Sequence, residues 1–254
     1  MLRKLIFILS FLATPLMAQE SVVVDLSQNR VAITANFAGS EIFVFGAVKR
    51  DGPMAEGLAP LDVAIVVEGP LASTVVRKKE KRFGIWLNAE AVEVEAVPSF
   101  FTVVSTGPLD EILNEGDRRD FAIGLDYAIR RQAKETPGIN VAEFSEAITR
   151  IRLDNGLYAE RDGVLSLNEE TLFNASIQLP ANLIEGDYTA RIYLIRDRNI
   201  VADTSVEISV RKEGFERWVY NLSRQQPLLY GLLSLLVALI AGYGASEIFR
   251  LLRR

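Results

Sequence analysis

From Ser21 to about Thr106 the apolar positions fall into short runs. Val31, Ile33, Ala35 and Phe37 alternate with Ala32, Thr34 and Asn36, the two-residue period of a strand with one buried face. Glu41 to Val48 (EIFVFGAV) is almost continuously apolar, which predicts a central strand covered on both faces. The stretches DVAIVVEGP, STVVRKK, RFGIWLN, VEVEAV and SFFTVVS follow, separated by Gly and Pro. Several short strands at this spacing predict an antiparallel sandwich of immunoglobulin or fibronectin-like size.

The period then changes. Phe121, Leu125, Ala128 and Ile129 share one helical face within Asp117 to Glu135, and Val141, Phe144, Ile148 and Ile151 share another. Two helices are expected, the second with a capping box at Asn140 and Glu143 and a C-terminal cap at Gly156. Strand rhythm returns with Phe173, Ala175, Ile177 and Leu179, then Tyr188, Ala190, Ile192 and Leu194, then Val206, Ile208 and Val210. A turn over Asp197 to Asn199 joins the last two of these as a hairpin. The late strands are either a second small β unit or the completion of the first.

Both ends are apolar, in different ways. Residues 1–18 place Arg3 and Lys4 before an apolar run that Pro15 interrupts and the small residue Ala18 closes, the layout of a signal peptide cut after Ala18, with an uncleaved N-terminal anchor as the alternative. Leu228 to Phe249 carries no charge before Glu247 and, as a helix, reaches about 33 Å, enough to cross a bilayer. An exported chain stopped once leaves its bulk in the periplasm and its C-terminus in the cytoplasm, with Arg250, Arg253 and Arg254 inside. Just before the span, Phe215, Trp218, Val219 and Leu222 line one face of an amphipathic interfacial helix, with Trp218, Tyr220 and Tyr230 at headgroup level.

The expected organisation is therefore a signal peptide at 1–18, a β-sandwich domain at 19–106 and a helical segment at 107–156. The second β unit or completion of the sandwich follows at 157–212, then a juxtamembrane helix at 213–226, a transmembrane helix at 227–249 and a tail at 250–254. The fold class is mainly β, with a small inserted helical pair and one C-terminal transmembrane helix.

Composition narrows the chemistry. The chain has no His and no Cys, which removes the usual general base, the commonest transition-metal ligand, thiolate nucleophiles and disulfides. The net charge of -5 gives no overall electrostatic support for nucleic-acid binding. Within this acidic chain, Arg77, Lys78, Lys79, Lys81 and Arg82, interrupted only by Glu80, form the densest charge cluster. They are candidates for binding anionic lipid, an oxyanion or an acidic partner; alternatively they are a solvated hairpin end that discourages edge pairing. Ala238, Gly242, Ala245 and Ser246 recur at helical spacing in the span. They form a small-residue face for a second copy or an integral membrane partner, or they reflect the ordinary abundance of small residues in spans. Asp110, Glu111, Glu115 and Asp117 are candidates for acid-base work or Ca²⁺, or are simply loop and helix-start charges.

VAITANFAGSEIFVFGAV, VVRKKEKRFGIWLN, VPSFF, LFNASIQLPANLIEGDYTARIYL and GFERW with PLLYGLL together resemble a family of alphaproteobacterial transmembrane proteins whose name records only a membrane location. The resemblance covers nearly the whole mature chain and implies a signal peptide, an external β-rich region and one C-terminal span. It also implies a transport-associated neighbour, a permease of the sulfite-exporter type. The expectation is a bacterial inner-membrane accessory protein without a cofactor, partnered by the lipid bilayer and by an integral membrane protein or a second copy. A carboxylate-only extracytoplasmic enzyme and an anion or small-ligand binding module are the alternatives.

Overall fold

The computed structural model describes residues 20–252 except 35, 51, 53–56 and 130–140. The expected signal peptide, the Asn140 cap, and Arg253 and Arg254 fall outside these residues, as do the side chains of Phe215 and Phe249.

Twelve described strands build the body. A four-stranded sheet runs in the order β1 (Glu20–Leu26), β3 (Ser40–Arg50), β10 (Leu172–Leu179), β9 (Ser166–Asn168). A six-stranded sheet runs β2 (Arg30–Ile33), β12 (Asn199–Lys212), β11 (Gly186–Arg196), β4 (Leu61–Glu68), β7 (Phe101–Ser105), β8 (Tyr158–Arg161). A separate hairpin pairs β5 (Leu71–Arg82) with β6 (Ile85–Pro98). Strands from the late stretch are interleaved with early ones, β10 against β3 and β11 against β4. The pairing is not wholly antiparallel, because β2 joins β12 and β8 joins β7 in parallel.

The period-2 readings of β10 and β11 appear directly as burial. Phe173, Ala175, Ile177 and Leu179 point inward, as do Tyr188, Ala190, Ile192 and Leu194. They meet Ile42, Val44 and Val48 of β3 in the core between the sheets. The strand covered on both faces is β4 rather than β3. Val63, Ile65 and Val67 enter the inter-sheet core, while Ala64 and Val66 face a second core on the other side. Because no described residue packs over them on the outer face of the four-stranded sheet, Phe43 and Phe45 of β3 stand about half exposed. The strand expected from Val31 to Phe37 stops at Ile33, where its parallel partner β12 ends at Lys212 and the chain turns, with the Phe37 amide donating to the Thr34 carbonyl at 3.0 Å.

The second core is closed by short helices and by the base of the hairpin. Three short helices come first in the chain, α1 (Leu109–Ile112), α2 (Glu115–Asp120) and α3 (Leu125–Ala128); the first expected helix, Asp117 to Glu135, is divided between the last two, and its residues 130–135 lie outside the described ones. Ala122 and Gly124, at φ of 53° and 112°, break it between α2 and α3. Ala128 and Ile129 still reach the core, so the apolar positions survive although the helix does not. The second helix, α4 (Val141–Asp154), buries Phe144 and Ile148 and leaves Ile151 half exposed. It ends as the sequence indicates: Gly156, at φ 68°, donates to Leu153 O and Leu157 to Arg152 O, both at 2.9 Å, the paired bonds of a Schellman cap. The β11–β12 turn is Asp197–Arg198, both with positive φ, bracketed by the Arg196–Asn199 pair.

Candidate membrane-contact surfaces

β12 leads through Gly214 into α5 (Phe215–Gln225), and α6 (Pro227–Leu252) follows one residue later. The break is local chemistry: Gln226 precedes a proline, whose ring disfavours helical backbone at the residue before it, and it adopts φ -137° and ψ 66°. On α5, Val219 and Leu222 are half buried, and Trp218 and Tyr220 are exposed. The Arg224 guanidinium stands 5.9 Å from the Tyr220 ring centroid. Tyr230 opens α6.

α6 has 26 residues, about 39 Å of helix. Its segment Pro227–Ser246 has a mean hydropathy of 2.0, and none of it is buried by protein. Leu228, Leu239 and Tyr243 are 84%, 71% and 72% exposed. So long an apolar surface is far larger than a soluble monomer exposes to water, whereas hydrocarbon accommodates it. Ala238, Gly242, Ala245 and Ser246 all lie on this helix and are exposed; a Cβ added at Gly242 would meet nothing within 4 Å.

The basic residues lie on β5, toward the far end of the β5–β6 hairpin. Val76, Val92, Val94 and Val97 bury the hairpin's base in the second core, and from Arg77 to Leu87 every residue is exposed. Lys78 reaches Glu143 at 2.6 Å, and Arg82 reaches Glu80 at 3.1 Å. The remaining basic side chains project from a two-stranded ribbon. Opposite them are apolar groups that the sequence reading did not join to the site: Ile85 pairs with Arg82, Trp86 with Lys81 and Leu87 with Glu80, and Phe83 and Gly84 form the two-residue turn. The signal that could have revealed this grouping is Gly84, standing between a basic run and an apolar run.

Elsewhere the ionisable groups serve the fold. Asn114 caps α2 by accepting from the Asp117 amide at 2.8 Å, and the Asp117 carboxylate accepts from the Ile200 amide at 3.1 Å, tying α2 to β12. Asp110 and Glu111 sit in the first turn of α1, and Glu115 pairs with Arg119 at 3.1 Å. Among the described residues no three carboxylates gather as a metal site. A cleft of about 610 Å³ between the sheets holds Glu41, Ser176, Arg161 and Gln178 near its rim. Its one cation, Arg161, donates to Gln178 at 3.2 Å, and Ser176 donates to Glu41. Tyr158 and Tyr188 have phenols pushed above their ordinary range by burial, and each donates to a backbone carbonyl, of Pro98 at 2.8 Å and of Ile184 at 2.9 Å.

Among solved structures, the chain is similar to Spo0M, a sporulation control protein from Bacillus subtilis, with 9% identity and a TM-score of 0.30 over 82% of this chain and 55% of that one. BslA, a bacterial hydrophobin, is similar at 10% identity and a TM-score of 0.20, over 77% of this chain and 97% of the other. The chain thus spans about half the length of the Spo0M chain. No curated protein matches the sequence. One family profile covers residues 21–251, the sandwich and the apolar helix together, and the chain belongs to that family, described as "Putative transmembrane protein (Alph_Pro_TM)".

Proposed function

We propose that this protein is a membrane-anchored accessory module, not an enzyme, whose sandwich lies on the periplasmic side of a bacterial inner membrane and docks onto an integral membrane partner. The observation that carries this reading is α6, an uncovered apolar helix joined to a folded β body by fourteen residues or fewer, counting from Lys212 to Pro227. A linker that short, largely taken up by α5, keeps the body at the bilayer surface, where a membrane partner is the nearest neighbour. The lack of His and Cys, and the structural employment of Asp117, Glu115 and Glu143, support a binding role over acid-base chemistry. The small-residue face of α6 is where a partner helix would approach closely. A permease of the sulfite-exporter type is the partner that the family resemblance implies.

Crosslinking in native membranes followed by affinity capture of the full chain tests this. Reproducible recovery of one integral membrane protein is expected. Recovery of the chain alone, or of a chain whose β body a reporter fusion places in the cytosol, would overturn the reading.

A further inference from the structure

The β5–β6 hairpin carries apolar surface that no described residue covers. Phe83 is 102% exposed, Trp86 68%, Ile85 59% and Leu87 45%. Phe83 also sits at φ 52°, followed by Gly84 at φ 85°. This is the primed two-residue turn in which Asn or Asp before Gly is preferred and a bulky residue is disfavoured. An aromatic side chain thus occupies a strained backbone position and gains no burial among the described residues.

Polarity is ordered along the ribbon. Beyond the valine base come Arg77, Lys78 and Lys79; Glu80, Lys81 and Arg82 then lie level with Leu87, Trp86 and Ile85 on the facing strand, and Phe83 and Gly84 form the tip. Lys78 and Arg82 have carboxylate neighbours, whereas Arg77, Lys79 and Lys81 make no ion pair among the described residues. Trp86 lies directly across from Lys81. An apolar end of the ribbon with cations beside and behind it matches a bilayer surface, where acyl chains lie beneath anionic phosphates and long basic side chains reach back to them. The protein as a whole carries a charge of -5, so attraction to an anionic surface belongs to these cations and not to the molecule at large. The tip is narrow and convex. Its two aromatics offer roughly 300–500 Å², short of the about 800 Å² per partner that a stable protein interface buries.

We propose that the hairpin tip is a second bilayer contact: Phe83, Ile85, Trp86 and Leu87 enter the interface of an anionic lipid surface, and Arg77, Lys79, Lys81 and Arg82 meet its phosphates. This rests on the reading of α6 as a bilayer anchor.

The test uses the full chain with Trp218→Phe, which leaves Trp86 as the only tryptophan. The protein is reconstituted into phosphatidylcholine vesicles with or without phosphatidylglycerol, containing lipids brominated near the headgroup. Expected is a blue shift of Trp86 emission and quenching by bromolipid, stronger in the anionic vesicles. Combined Arg77→Gln, Lys79→Gln and Lys81→Gln should lower tip partitioning about 100-fold, from about 5-fold per charge. Phe83→Asn, which supplies a residue the turn prefers and so leaves folding intact, should also weaken quenching. Trp86 equally open to aqueous acrylamide in both vesicle types, with α6 still resistant to carbonate extraction, would overturn the proposal and leave the anchor standing. Extraction of the whole chain by carbonate would overturn both. Protection of Trp86 in native membranes but not in lipid vesicles would assign the tip to a protein partner instead.

Discussion

Glu20 is the residue on which the start of the body turns. Its carboxylate accepts from Arg196 at 2.9 and 3.1 Å and from Arg50 at 2.9 Å, and all three side chains are largely buried. This joins β1 to β3 and to the end of β11. Removing one partner of a buried pair leaves an uncompensated charge, so Glu20→Gln should cost about 3 kcal/mol, read as a lower denaturation midpoint of the detergent-solubilised chain. Tyr158 makes a different prediction. An unfolded tyrosine ionises near pH 10, whereas burial holds the folded phenol protonated to higher pH. The stability it contributes is intact below about pH 10 and is lost as pH rises from there toward the folded value. Tyr158→Phe forfeits the bond to Pro98, about 1 kcal/mol at neutral pH, but its denaturation midpoint should fall less steeply in the alkaline range.

Elements were legible where one face packs and the other does not. The alternation in β10 and β11 is such a case, and so is the Gly156 cap of α4. β3 misleads because Phe43 and Phe45 are as apolar as core residues while lying on an uncovered face, and hydropathy does not report what packs against a strand. The sequence pattern divides the hairpin's second strand because Ile85–Asn88 and Val92–Val97 are two parts of one strand, β6, whose register with β5 shifts between them, opposite Lys78 and Lys79. Its turn lacks the Asn-Gly signature, so the basic side and the aromatic side were not brought together. Within the four-stranded sheet, Gly46 is a packing requirement. A Cβ there would lie 2.4 Å from the Phe173 ring and 2.6 Å from the Val23 carbonyl oxygen. Gly46→Ala should therefore destabilise by about 1–3 kcal/mol through overpacking, measured by thermal unfolding followed by circular dichroism.

At the scale of the molecule, the apolar helix was the most legible feature, because length and hydropathy suffice to identify it. Strand order was the least, since Phe45 opposite Asn174 or Val67 opposite Ala190 depends on shape matching between distant segments. A charge placed at the middle of the span tests the anchor: Leu236→Arg should cost about 3 kcal/mol of insertion and raise the fraction released by carbonate extraction. The interleaving of early and late strands also fixes a schedule for biosynthesis. β3 has only β1 and β4 only β7 beside it until β10 and β11 have been made, and these lie just ahead of α5 and α6. Closure of the β body and arrival of the greasy helix therefore fall nearly together in time. Until then each of the two early strands keeps one open, aggregation-prone edge, and a nascent chain stalled before residue 186 would need a chaperone's shelter.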